Sequence, residues 1–66
     1  MNDNDLRRLA ALIAKPVKEQ GATPANAAYI VRPAMTKFDV AFRAIGIAMT
    51  PQEKERVVEL VINKLG

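Results

Sequence analysis

Apolar residues recur at helical spacing along most of the chain, and this pattern predicts four helices. The first begins near Asn4 and runs through Ala14 or beyond, after Asn and Asp residues that suit an N-cap. Pro16 interrupts it, and because the periodicity continues, a kink is favoured over an end, with Gly21 as the stop. Its apolar positions at i, i+3, i+4, i+7 and i+11 are Leu6, Leu9, Ala10, Ile13 and Val17.

Two shorter helices are predicted next, separated by a proline. Thr23-Pro24 is typical of a helix start, so the second helix covers Pro24 to about Val31 and ends before Pro33. Thr36 and Asp39 resemble a capping box for a third helix, which Gly46 ends. The spacing within the third helix predicts apolar contacts from Phe38, Ala41, Phe42 and Ile45.

The fourth helix has the clearest start in the chain. Thr50-Pro51-Gln52-Glu53 combines an N-cap threonine, a proline at the first helical position and a glutamate at the third, and the helix runs to about Lys64. No segment has the alternation of a strand. The fold class expected is therefore all-α, with residues 1–66 forming one small domain of three to four short helices. Phe38, Phe42 and Ile45 are expected among its core residues, with Leu6, Leu9 and Ile13 facing them.

The composition indicates a thin core. Half of the residues are apolar, but eleven of these are alanine, which buries little area. A chain of 66 residues buries only about 60% of the surface that its unfolded form exposes. Without cysteine or histidine, neither a disulfide nor a transition-metal site is expected to supply the missing stability. We therefore expect the chain to gain the missing stability by self-association as a homodimer.

The fourth predicted helix carries an apolar arc that is wider than one packing face needs. With Leu60 included, this arc spans about 200° of the helix. One interpretation is that one edge docks on the core and the other on a second chain; the alternative is a small core that wraps the helix. The candidate partner or dimer interface comprises Val57, Leu60, Val61 and Lys64.

The residue types that the chain lacks disfavour several functions. It contains no histidine, cysteine, serine or tryptophan, which removes most nucleophiles and the usual general base near neutral pH. A calcium loop is also absent, since the only aspartates are Asp3, Asp5 and Asp39. We therefore expect no enzyme activity, no cofactor and no metal. The sequence has neither a signal-peptide pattern nor a membrane-spanning apolar run, so a cytoplasmic location is expected.

The net charge of +3 is modest, but four basic residues share one side of the first helix. Arg7, Arg8, Lys15 and Lys18, called here the basic face, fall within about a third of the circumference, opposite the apolar stripe. This face is a candidate surface for phosphate or an acidic partner, and the alternative is an ordinary solvated face. A helix-turn-helix formed by the second and third helices is disfavoured, because the connection carries Pro33 and the third helix carries Asp39.

These observations favour a small non-catalytic interaction module, a regulator or adaptor that binds a partner protein stoichiometrically. The alternative is a small DNA- or RNA-binding regulator that uses the basic face. Salt dependence separates the two, since nucleic-acid binding weakens steeply with salt and apolar docking does not.

Overall fold

A computed structural model describes residues 1–65, which form three α-helices and no strand. The helices are α1 (Asp3–Glu19), α2 (Ala27–Ala44) and α3 (Pro51–Leu65). The all-α prediction is confirmed. The prediction of two short helices in the middle of the chain is wrong, because both belong to α2.

Helix α2 continues through Pro33, although the sequence predicted an end there. Proline has no N–H to donate to the carbonyl of Tyr29, and an interior proline costs a helix about 3 kcal/mol. The apolar face of α2 nevertheless continues across it, with Val31, Met35 and Phe42 all buried. Each such side chain contributes about 1.5–3 kcal/mol when it is buried, so the three together exceed the cost of the proline.

The two threonines that were expected to cap helices in this region have other roles. Thr36 lies inside α2, where its hydroxyl donates to the carbonyl of Arg32 at 3.3 Å. Thr23 precedes a turn rather than a helix, since its N–H donates to the Asn26 side chain at 2.7 Å and α2 begins only at Ala27. These residues therefore do not form a helix-turn-helix, because the two short helices that it needs belong to one helix, α2.

The predicted ends of the other helices agree well with the structure. In the capping box before α3, the Glu53 N–H donates to Thr50 Oγ1 at 3.1 Å and the Thr50 N–H donates to Glu53 Oε1 at 2.8 Å. Gly21 and Gly46 follow α1 and α2 with φ of 87° and 86°, a left-handed conformation that favours glycine. Helix α1 also continues through Pro16, as the periodicity at Val17 indicated.

The core lies between all three helices, and α1 packs more extensively on α3 than on α2. Phe42 is buried, and Phe38 is partly buried with its ring centroid 5.7 Å from that of Phe42. The prediction that Ile45 is a core residue is wrong, because Ile45 lies just past the end of α2 and is 73% exposed. Ile47 packs on the core in its place, after the Gly46 turn. The fully buried large side chains are Ile13, Val17, Val31, Val57 and Val61.

Replacing Pro33 by alanine is expected to stabilise the protein. Removing the proline from the helix raises the free energy of unfolding by about 3 kcal/mol. The greater conformational freedom of the unfolded chain lowers it by about 1 kcal/mol. The net gain of about 2 kcal/mol corresponds to a melting temperature roughly 10 °C higher in circular dichroism. Pro24→Ala is the matched control, since Pro24 lies in the turn before α2, and no gain is expected there. A Pro33→Ala variant that melts below the parent would mean that the helix ends at this residue.

Candidate functional site

Ion pairs tie α3 to both other helices. From α1, Asp3 binds Arg56 at 3.2 Å. From α2, Arg32 binds Glu55 at 2.9 Å. The amino group of Met1 also binds Glu53, at 2.9 Å, so a residue of the α3 capping box contacts the start of the chain.

These contacts lower the pKa values of three carboxyl groups. The Arg56 guanidinium, followed by that of Arg7, lowers the pKa of Asp3. The backbone N–H of Thr50 is the main cause of the lowered pKa of Glu53, and the Met1 amine adds to it. Glu55 has a lowered pKa because it accepts hydrogen bonds from Arg32. The acidic side chains around α3 are thus largely committed to contacts within the chain.

Asp39 is the buried charged residue of the described core, with 7% of its surface exposed. One oxygen, Oδ2, binds Arg43 at 2.8 Å and Lys54 at 3.0 Å. The other, Oδ1, is buried and has no hydrogen-bond partner in the described part of the chain. Since Lys54 belongs to α3, this carboxylate joins α2 to α3. It is a structural contact rather than part of an open site.

The candidate interface on α3 lies mostly inside the core. Val57 and Val61 are fully buried and Leu60 is 8% exposed, while Lys64 is exposed. The wide apolar arc is therefore covered by α1 and α2, which is the arrangement in which a small core wraps the helix. An interface with a second chain through the three apolar residues would require them to leave this core.

A depression of about 620 Å³ lies on the outer side of α3. Its charged lining is already paired, since Arg32 binds Glu55 and Arg56 binds Glu59 at 3.0 Å. The large exposed apolar residues of the described chain lie elsewhere: Met1, Leu12, Tyr29, Val40 and Ile45. This surface of α3 offers neither a free charge nor an exposed apolar anchor.

The basic face of α1 is exposed, as predicted, but it has two edges. Arg7 binds Asp3 at 3.0 Å and so lies beside α3, and Lys18 follows on the same edge at about 100° per residue. Arg8 and Lys15 lie about 60–100° away, on the side of α1 opposite the buried stripe. Within residues 1–65, neither Arg8 nor Lys15 forms an ion pair.

A second depression, about 230 Å³, lies between the end of α1 and the outer side of α2. Its floor consists of Ile30, Ala34 and Phe38, spaced four residues apart and partly buried. We call this depression, with the ridges on either side, the α1–α2 groove. It lies where two helices with limited mutual contact leave apolar side chains incompletely covered.

Rows of side chains four residues apart form the two ridges of the groove. Gln20 and, on α2, Tyr29, Pro33 and Lys37 line the depression directly. The same rows continue beyond it by helical geometry. The α1 ridge comprises Arg8, Leu12, Pro16 and Gln20. The α2 ridge comprises Tyr29, Pro33, Lys37, Ala41 and Ile45.

Both ridges carry exposed apolar residues. Leu12 on the α1 ridge is 59% exposed, and Tyr29 on the α2 ridge is 85% exposed. Sequence reasoning missed this surface because it treated residues 24–31 and 36–45 as separate helices. A signal was present at Leu12, which falls outside the apolar stripe and between Arg8 and Lys15.

Comparison of this chain with protein-family models, curated proteins and solved structures found no match. Across residues 1–65 there is no group of three acidic, histidine or cysteine side chains placed to hold a metal ion. In the same residues, no helix has the length and apolar character needed to cross a membrane. The inference of function therefore rests on the groove and its charges.

Acid is expected to destabilise the fold through Asp3, Glu53 and Glu55. Their pKa values are lower in the folded state, so their stabilising contribution is complete above the ordinary carboxyl pKa. It is lost as the pH falls through the lowered values. Melting temperatures by circular dichroism are expected to be level near pH 7 and to fall steadily below about pH 4.5.

Glu53→Gln isolates one of these groups. Glutamine keeps the capping hydrogen bonds but not the charge, so this variant is expected to melt below the parent at pH 7 and to converge with it in acid. Glu19→Gln removes an exposed charge that makes no ion pair in the described chain and is the matched control. Curves for parent and Glu53→Gln that stay parallel down to pH 3 would contradict a role for the Glu53 charge.

Proposed function

We propose that this protein is a non-catalytic binding module that docks a helical segment of a partner protein in the α1–α2 groove. The observation that carries the proposal is exposed Tyr29 beside a partly buried apolar floor of Ile30, Ala34 and Phe38, with exposed Leu12 on the same row of α1 as Gln20. Solvent-exposed apolar side chains gathered around a concave surface are typical of interaction sites.

A helix suits this groove because two helices already form its walls. An amphipathic helix that lays its apolar face on the floor would complete a four-helix arrangement. The α1 ridge extends over twelve residues, or about 18 Å, so an occupant of three to four turns is sufficient. Stoichiometric binding of this kind is the mode of action of a small regulator or adaptor.

The proposal moves the interaction surface from α3 to the groove. A homodimer through Val57, Leu60 and Val61 is no longer favoured, because these residues stabilise the fold of one chain. We therefore propose a partner other than the chain itself.

Selection from a display library of random helical peptides tests this proposal without assuming the partner's charge. The chain lacks cysteine, so Asn63→Cys on the outer side of α3 allows attachment at one site away from the groove. Selected peptides are expected to bind with one-to-one stoichiometry. Amide chemical shifts of the isotope-labelled chain are expected to change along both ridges.

Paired variants of the exposed apolar residues locate the binding surface. The double variant Leu12→Ser, Tyr29→Ser is expected to lose about tenfold in affinity or more, since large apolar anchors dominate such interfaces. Val40→Ser is the matched control: Val40 is also exposed on α2 but does not line the depression. A failure to select any binder, or equal losses in the double variant and the control, would contradict the proposed function.

A DNA- or RNA-binding regulator remains the alternative, since the basic face is exposed. The face lacks an aromatic residue for base stacking, and Glu19 lies beside its basic residues. Tight, sequence-dependent binding of a duplex or a single strand at physiological salt would favour this alternative over docking.

A further inference from the structure

The floor of the α1–α2 groove has a gap at Ala34. The side chain of Ala34 is a single methyl group, and the larger Ile30 and Phe38 flank it one turn away on either side. All three line the depression, which measures about 230 Å³. An apolar cavity of about 150 Å³ is enough to bind benzene, so the depression has room for one large aromatic side chain.

Ring-bearing side chains surround this gap. Phe38 is only partly buried, and its ring lies 5.7 Å from that of Phe42 in the core, at an angle of 43°. Pro33 and the exposed Tyr29 also line the depression. A ring inserted over Ala34 would contact Phe38 and extend this aromatic pair outward, in the tilted or offset geometry that aromatic side chains prefer.

One cation lines the depression, and no acidic side chain does. Lys37 makes no ion pair within residues 1–65 and lies one turn from Ala34. An ammonium group is attracted to the negative face of an aromatic ring, and most strongly to that of tryptophan. The charge at the rim therefore complements an aromatic occupant, whereas an aliphatic side chain would make no such contact with Lys37.

We propose that the α1–α2 groove receives a tryptophan side chain of a partner helix, inserted over Ala34 between Ile30 and Phe38. This inference rests on the proposed function and names the residue by which the partner is recognised. Gln20, at the end of α1, also lines the depression and has an amide oxygen that can accept a hydrogen bond from the indole N–H. The chain itself contains no tryptophan, so this anchor belongs to another protein.

Four designed peptides of about fourteen residues, close to the length of the groove, test the anchor. They share an uncharged helix rich in alanine and glutamine and differ at one central position, which carries tryptophan, phenylalanine, leucine or alanine. Because the chain contains no tryptophan, indole fluorescence reports on the anchor alone, and its emission is expected to move to shorter wavelength on binding. Competition against this peptide ranks the other three. The tryptophan peptide is expected to bind about tenfold more tightly than the leucine peptide, since it covers more apolar area and contacts Lys37.

Filling the gap tests the position of the anchor. Ala34→Leu is expected to weaken binding of the tryptophan peptide by about tenfold or more, because the leucine side chain occupies the space that the indole needs. Ala41→Leu is the matched control, since Ala41 is an exposed alanine of the same helix that does not line the depression. Circular dichroism of both variants checks that the helices are retained.

Removing the cation tests its contribution. Lys37→Met keeps an unbranched side chain without the charge, so the tryptophan peptide is expected to bind about threefold more weakly while the leucine peptide is unaffected. This variant also carries the test where Ala34→Leu folds poorly. Lys15→Met is its control, because Lys15 does not line the depression.

The outcomes separate this inference from the proposed function. Leucine and tryptophan peptides that bind equally, or library-selected peptides that lack an aromatic residue, would overturn the tryptophan anchor and leave docking in the groove intact. The same holds if Ala34→Leu folds and binds the tryptophan peptide as tightly as the parent does. Failure of all designed and selected peptides to bind would overturn both. A dimer of the parent in sedimentation that Tyr29→Ser dissociates would mean that a second copy fills the depression, and it would also overturn both.

Discussion

Burial of Val31, Met35 and Phe42 on one face of α2 is the interaction on which the rest of the structure depends. It holds the helix together across Pro33, where backbone hydrogen bonding alone would favour a break. Because α2 is continuous, its exposed side carries Tyr29, Pro33 and Lys37 in one row along the depression. Without that continuity there would be no second wall for the groove.

The distribution of charge follows from the way in which α3 is held. Asp3, Asp39 and Glu55 each bind a basic residue across a helix boundary. The Asp3 and Glu55 pairs are largely exposed, so each adds little stability, whereas Asp39 is buried; together the three carboxylates determine which basic residues remain unpaired. Within residues 1–65, the basic side chains without an ion pair are Arg8, Lys15, Lys18, Lys37 and Lys64, and of these Lys37 lines the depression beside α2. The unpaired positive charge is thus what remains after the carboxylates have joined the helices.

Much of the fold could be predicted from the sequence because its signals are local. The capping box at Thr50 and Glu53 and the glycine stops at Gly21 and Gly46 depend on residues within one turn of each other. The effect of Pro33 was misinterpreted because the cost of a proline inside a helix is offset by burial of α2 side chains against α1 and α3. That burial can be seen only in the tertiary structure. The sequence left two interpretations of the α3 arc open for a related reason: the width of an apolar arc does not reveal how many neighbours cover it. Leu60 is covered by the same chain, while Ile45, predicted in the core, is exposed.

The central claim is that α2 is one helix from Ala27 to Ala44, and nuclear magnetic resonance of the labelled chain tests it most directly. We expect helical Cα shifts throughout this range, including Arg32, together with a nuclear Overhauser contact between Hα of Ile30 and Hβ of Pro33. A non-helical Cα shift at Arg32 and the absence of that contact would indicate two helices separated at Pro33. The α2 ridge, and with it the proposed docking groove, would then be contradicted.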